Sequence, residues 1–173
     1  MIKVITISGS DRPESKNSLL LNCLSSLELK NCLFSSVNIG KLPLYEVALD
    51  KTPLPKSVVK FRKSVTQAHA LVISTPEYIY NMPARLKNAL EWLTTSGELV
   101  GKSVLAISYT PSKPRGEKAM QSLLWSLKAL DANVVTSLAL YQNILTIDSN
   151  RKITGDETEL ILLKESLGLL VGN

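Results

Sequence analysis

The sequence predicts a doubly wound α/β fold, a five-stranded parallel sheet in the order 2-1-3-4-5 with helices on both faces. Three observations predict it. Short apolar runs alternate with amphipathic stretches, most of the runs are apolar throughout as in strands buried on both faces, and there are five of them. In such sheets a ligand sits beyond the carboxyl ends of the strands, where the order reverses between the first and third. The loops after strands one, three and four are therefore the ones to read for function.

"IKVITISG", with Val4, Ile5 and Ile7 ahead of a glycine, is the first strand. "SLLLNCLSSLEL" (18–29) is an amphipathic helix on the spacing of Leu20, Leu24 and Leu27. "LFSSVNI" (33–39) is the second strand, and a structured excursion through residues 40–55 carries three of the eight prolines. "KSVVKFRKSVTQA" (56–68) is a helix and "ALVISTP" (70–76) the third strand. "PARLKNALEWLTT" (83–95) is a helix with Pro83 at its first position and Leu86, Leu90 and Leu93 on one face. The fourth strand, "KSVLAISYT" (102–110), precedes the helix "EKAMQSLLWSLKAL" (117–130). The fifth strand, "NVVTSLAL" (133–140), and a helix over 157–170 complete the pattern.

With 173 residues, 45% hydrophobic and 20% charged, the chain has the composition of one globular domain, read as spanning 1–173. No apolar run approaches a membrane span, and the N-terminus lacks the marks of a secretory signal, so a cytoplasmic protein with no membrane partner is expected. The net charge of +5 is scattered, with no basic run, so no nucleic-acid partner is expected; a mild positive field equally suits phosphorylated cofactors. Cys23 and Cys32 have neither metal-ligand nor CxxC spacing and read as buried free thiols. His69, the only histidine, falls at the start of the third strand, away from the ligand end, and reads as structural or solvated. Trp92 and Trp125 lie on apolar helix faces, suited to core or subunit-interface packing. Neither a Ser-His-Asp arrangement nor a metal-ligand cluster is present.

The first loop, "SGSDRPESKN", crowds hydroxyls, an amide and a guanidinium between a buried strand and a helix start. Backbone N–H groups and the dipole at a helix N-terminus favour an anion, and Ser10, Arg12, Ser15, Asn17 and Ser18 could supply side-chain donors. The same serines are also ordinary capping residues, but Arg12 is disfavoured at that end unless an anion is present. The dinucleotide pattern G-x-G-x-x-G and the nucleotide-hydrolase pattern G-x-x-x-x-G-K-[ST] are both absent. The loop should instead wrap a terminal monophosphate with side chains. After the third strand, Pro76 stiffens a segment whose backbone can face a planar heterocycle, with Tyr78 or Tyr80 packing nearby.

Together these loops resemble the NADPH-dependent FMN reductases, flavodoxin-like proteins that include quinone, azo-dye and chromate reductases. The motif G-S-x-R-x-x-S-x-N is matched by Gly9, Ser10, Arg12, Ser15 and Asn17. The second motif, T-P-E-Y-N then P-x-x-L-K-N-A-[IL]-[DE]-W, is matched by Thr75 to Tyr78, by Pro83, and by Leu86 to Trp92. "LPLY" (42–45) resembles the family's loop after the second strand, and the likeness runs to at least residue 131. The resemblance implies that Ser10, Arg12, Ser15, Asn17 and Ser18 bind the FMN phosphate. It further implies that Pro76, Glu77, Tyr78 and Ile79 line the isoalloxazine largely through backbone groups, with Thr110 and Ser112 contributing after the fourth strand. It implies an NAD(P)H-dependent oxidoreductase passing electrons through FMN to a small acceptor such as a quinone, azo compound or flavin. No side chain is expected to act as acid or base, and a homodimer or a dimer of dimers is expected. An FMN module without its own nicotinamide site, or a regulatory protein that has lost flavin, are the rival readings.

Two positions depart from the pattern. Ile79 stands where the family motif has asparagine. The usual glycine-rich loop after the fourth strand is "YTPSKPRGEKAM", in which Ser112 and Arg115 replace glycines and only Gly116 remains. Lys113 and Arg115 could there attract nicotinamide-cofactor phosphates, or simply be solvated.

Overall fold

The computed structural model describes residues 1–12, 14–27, 29, 31–51 and 53–172; residue 28, within the predicted first helix, and residue 52, in the proline-rich segment, fall outside it. The main sheet is built from β1 (Ile2–Ser8), β2 (Cys32–Val37), β3 (Ala70–Thr75), β4 (Ser103–Thr110) and β5 (Asn133–Tyr141), all parallel in the order β2-β1-β3-β4-β5. This is the predicted order. Every residue of β3 is buried, whereas the edge strand β2 alternates between half-buried and exposed, as strands in central and edge positions should.

Helices α1 (Lys16–Cys23) and α5 (Glu157–Val171) cover one face. Their Leu20, Leu21, Leu163 and Leu167 pack with Val72, Leu105 and Ile107 from the sheet. On the other face lie α2 (Lys56–Gln67), α3 (Ala84–Glu91) and α4 (Glu117–Ala129), whose Val58, Phe61, Leu86, Leu90 and Leu123 meet Ile5, Ile7, Leu71 and Ala106. Alternate residues of each central strand thus feed opposite layers. Pro83 is the N-cap of α3 and so precedes its first residue.

The predicted first helix is shorter than its leucine spacing suggested. It begins at Lys16 and tightens into a 3-10 turn over Leu24–Leu27. The Ser26 hydroxyl donates to the Cys23 carbonyl at 2.6 Å, a local bond of the kind that competes with helix continuation. The hairpin of β6 (Leu145–Ile147) and β7 (Ile153–Gly155) had no sequence signal. The Tyr109 hydroxyl donates to the Leu145 carbonyl at 2.7 Å and ties this hairpin to β4.

Trp92 is fully buried, but Trp125 is 66% exposed on the outer side of α4 and does not belong to the core. Cys23 is buried, and that burial pushes its thiol pKa up, so it is a packing residue rather than a nucleophile. His69 is exposed at the opening of β3, where its Nδ1 accepts the Lys3 N–H at 3.0 Å.

Candidate active site

β1 ends at Ser8, and the Gly9 N–H donates to the Ser74 carbonyl at 2.7 Å. A Cβ on Gly9 would stand 3.2 Å from both Thr75 Oγ1 and Leu86 Cδ2, so a side chain here would require these neighbours to give by a few tenths of an ångström. The next turn is organised by serines. Ser8 Oγ donates to the Ser10 carbonyl at 2.9 Å and accepts from Ser18 Oγ at 2.9 Å. Ser15 is the N-cap of α1, accepting from the Ser18 N–H at 3.3 Å.

Asn17 is committed inside the protein. Its Nδ2 donates to the Tyr109 carbonyl at 3.0 Å and its Oδ1 accepts from Ser74 Oγ at 2.6 Å. The amide therefore bolts α1 to the ends of β3 and β4 with its oxygen and one of its two N–H donors. Ser18 is likewise engaged, its hydroxyl directed at Ser8 Oγ and the Ser10 carbonyl.

What remains is a compact set of unused donors. Ser10 is only 4% exposed, yet its Oγ has no hydrogen-bond partner among the described residues. A buried polar group left alone costs about 1–3 kcal/mol. Arg12 is exposed and forms no ion pair among the described residues, although Asp11 is its neighbour in sequence. The first N–H groups of α1 lie beside them without intrahelical acceptors, and the Ser15 hydroxyl keeps its proton to donate. A hydroxyl, a guanidinium and a helix N-terminus carried by one loop fit a phosphate. An open cleft of about 180 Å³ adjoins Ser10, lined also by Ser8, Asp11, Ser18, Ser36 and Asn38.

The loop after β3 supplies the second wall. Glu77 Oε2 accepts the N–H groups of Lys118 and Ala119 at 3.0 and 3.1 Å, capping α4 and fastening this loop to the one after β4. Tyr78 and Asn81 exchange backbone hydrogen bonds at 2.9 and 3.0 Å around a two-residue turn. Ile79 and Tyr80 form its tip with φ of 50° and 55°, and their side chains are 96% and 79% exposed. This is the mirror-image hairpin turn that asparagine and glycine favour, held here by a β-branched residue.

The loop after β4 is held by Thr110, whose Oγ1 donates to the Arg115 carbonyl at 2.8 Å while its own carbonyl accepts from the Gln142 N–H at 2.9 Å. Thr110 thus shapes the loop and Ser112 is left half-buried on it. Lys113 Nζ stands 5.6 Å from the centroid of the Tyr141 ring. Gly116, the N-cap of α4, has a φ of 102°, and a Cβ there would come within 2.9 Å of Ser108 Oγ.

Two helix residues fix the loop after β2. Asn88 Nδ2 and Trp92 Nε1 both donate to the Pro43 carbonyl, at 2.9 and 2.8 Å, and Asn88 Oδ1 accepts the Tyr45 N–H at 2.7 Å. The asparagine and tryptophan of the second motif thus hold the proline-rich excursion at Pro43 and Tyr45. Farther out, Arg62 donates to the Trp92 carbonyl and pairs with Asp50 at 2.7 Å.

The predicted residues thus fall on the loops after three adjacent strands, β1, β3 and β4, at their carboxyl ends. Ser10, Arg12 and Ser15 come together with free donors; Asn17, Ser18, Glu77 and Thr110 are brought to the same place but spend their side chains on its frame. Sequence reading missed the Asn17 and Glu77 parts of that frame, because their partners lie 57 and 92, and 41 and 42, residues away along the chain.

Residues 2–144 match the family described as NADPH-dependent FMN reductase. The chain belongs to the NADPH-dependent FMN reductase family. Its relatives within or close to that family include a 2-hydroxy-1,4-benzoquinone reductase of a Burkholderia species, 32% identical over 93% of this chain and 90% of its own length. A NAD(P)H-dependent FMN reductase of Pseudomonas aeruginosa is 32% identical over 76% of this chain and 72% of its own. A quinone reductase of Escherichia coli K12 is 30% identical over 78% and 73%. Among solved structures, the Paracoccus denitrificans flavoenzyme NAD(P)H:(acceptor) oxidoreductase FerB superposes with a TM-score of 0.79 at 23% identity, covering 99% of this chain and 96% of its own. The oxidised flavodoxin 1 of Bacillus cereus has a TM-score of 0.64 at 12% identity over 99% and 98%, which makes the fold flavodoxin-like. As a member of this family, the chain is an oxidoreductase that uses a flavin and a nicotinamide cofactor.

Proposed function

We propose that the chain, acting over 1–173 as one unit, binds FMN at the ends of β1, β3 and β4, takes electrons from NADPH or NADH and delivers them to a small quinone. The observation that carries this reading is the buried Ser10 hydroxyl, without a partner among the described residues, on the same loop as Arg12, which forms no ion pair among them, and the start of α1. Ser10, Arg12 and the Ser15 hydroxyl would take the FMN phosphate, with Asn17 and Ser18 holding the loop in shape. Backbone groups of Pro76 to Ile79 would face the isoalloxazine, with Thr110 shaping and Ser112 lining the loop opposite.

Bound flavin supplies the redox chemistry, and the chain's residues bind it, orient it and limit water at its edge. No acid or base from a side chain is required. A quinone acceptor is supported by the relatives named quinone reductase and by the apolar tip of Ile79 and Tyr80 beside the proposed ring site. The exposed Trp125, Leu44 and Val47 suit a homodimer or a dimer of dimers. Among the described residues no helix is long and apolar enough to cross a membrane, and we place the enzyme in the cytoplasm.

The test is a visible spectrum of the protein titrated anaerobically with FMN and then with NADPH or NADH. Binding of FMN followed by bleaching of its band is the expected result. A protein that gains neither colour nor thermal stability from FMN would sink the reading. Arg12→Ala should weaken FMN binding by about 1.5–3 kcal/mol, the range for a hydrogen bond to a charged group.

A further inference from the structure

The proposed phosphate loop contains an acidic residue that ought to repel its ligand. Asp11 stands between Ser10 and Arg12, and the obvious local partner for its carboxylate is Arg12 itself. The structure pairs it elsewhere. Asp11 Oδ2 lies 2.7 Å from Nε of Arg85, on the first turn of α3, and Arg85 Nη1 donates to the Gly40 carbonyl at 2.8 Å. The guanidinium thereby joins the loop after β1 to the loop after β2.

We infer that Arg85 is a positioning residue for the phosphate site, holding Asp11 away from Arg12 and cancelling its charge so that Arg12 faces the anion unopposed. The inference rests on the FMN reading of the loop. An Asp11 carboxylate without Arg85 would do one of two things, and both oppose binding. It would pair with Arg12 and take the guanidinium from the ligand, or it would remain as an uncompensated negative charge at the site. The pair is half-exposed, with the Arg85 and Asp11 side chains 53% and 39% accessible, so solvent limits its influence to a modest factor. Neither position 11 nor position 85 is a fixed residue of the motifs matched above.

The experiment is a fluorescence titration of the full, flavin-free chain with FMN at low ionic strength, run in parallel with riboflavin, which lacks the phosphate. Arg85→Gln should weaken FMN binding about five-fold, Asp11→Asn should tighten it by a similar factor, and the double variant should return close to the parent, each effect shrinking as salt is added. Arg85→Lys keeps the charge and should bind FMN nearly as the parent does. Riboflavin affinity should not follow these changes. If both single variants bind FMN like the parent, the inference is overturned. It is equally overturned if both weaken FMN and riboflavin alike, or if Arg85→Lys falls with Arg85→Gln, because the clamp would then act by shape alone. Failure of the FMN reading would appear earlier and differently, as a parent chain that does not bind FMN.

Discussion

Ser10 and Ile79 are both held in states that cost the free protein energy. The Ser10 hydroxyl is buried with no partner among the described residues, a penalty that a bound phosphate would remove. Ser10→Ala should therefore leave the flavin-free protein as stable as the parent or more so, by up to about 1 kcal/mol, while FMN affinity falls. Urea unfolding and FMN titration on the same samples check the two signs together; a loss of stability with unchanged affinity would make Ser10 a structural serine. Ile79 carries left-handed backbone at φ 50°, where a β-branched side chain crowds its own carbonyl, and almost all of its surface is in water. Ile79→Asn should raise the urea midpoint by the equivalent of about 1 kcal/mol. The departure at position 79 is visible in the sequence, but the left-handed turn that makes it costly is not, since nothing in "EYIYNM" signals that conformation.

At the scale of elements, strands and helices are held by single polar side chains that reach across the sheet ends. Asn17 serves β3 and β4 from α1, and Glu77 caps α4 from the loop after β3. Asn17→Ala would leave the Ser74 hydroxyl and the Tyr109 carbonyl without their partner in a buried place, and should cost about 1–3 kcal/mol by denaturant midpoint at unchanged slope. Glu77→Ala should cost about 1 kcal/mol through the lost cap, and Glu77→Gln less because an acceptor oxygen survives.

The elements themselves were largely legible: alternation and apolar runs predict the five strands in their order. Arg12 stood out in the sequence as a candidate for the proposed phosphate site because its charge is wrong for a helix N-terminus. The framework contacts of the Asn17 and Glu77 side chains were not legible, because the groups they bind lie 57 and 92, or 41 and 42, residues away. The hairpin of β6 and β7 was missed because strands of three residues are too short to show a period.

For the whole molecule, pH sets the limits of stability from two sides. Burial alone would raise the Asp50 carboxyl, but the hydrogen bonds from Thr95 and Arg62 and the guanidinium's charge outweigh it, so its pKa lies below the ordinary carboxylate value. The folded state thus favours ionised Asp50. That contribution is full above about pH 4, the unfolded value, and is lost as pH falls through the folded one. Burial pushes Tyr109 up to about 12, so the folded state favours its neutral phenol. This contribution is full below about pH 10 and is lost as pH rises towards 12. Urea midpoints should be level near neutrality and fall at both ends, with Asp50→Asn reducing the acid slope and Tyr109→Phe the alkaline one.

Helix α5 has a further consequence, for the order of events during synthesis. The inner face of β4 and β5, with Leu105, Ile107, Leu138 and Leu140, is closed by Leu163, Leu167 and Leu170. All the residues assigned to the flavin lie before Glu117, so a ribosome delivers the entire ligand-facing edge while the part of that face which α5 covers is still bare. The nascent chain therefore carries an uncovered apolar layer until α5 emerges, and this is the interval in which it most needs chaperones.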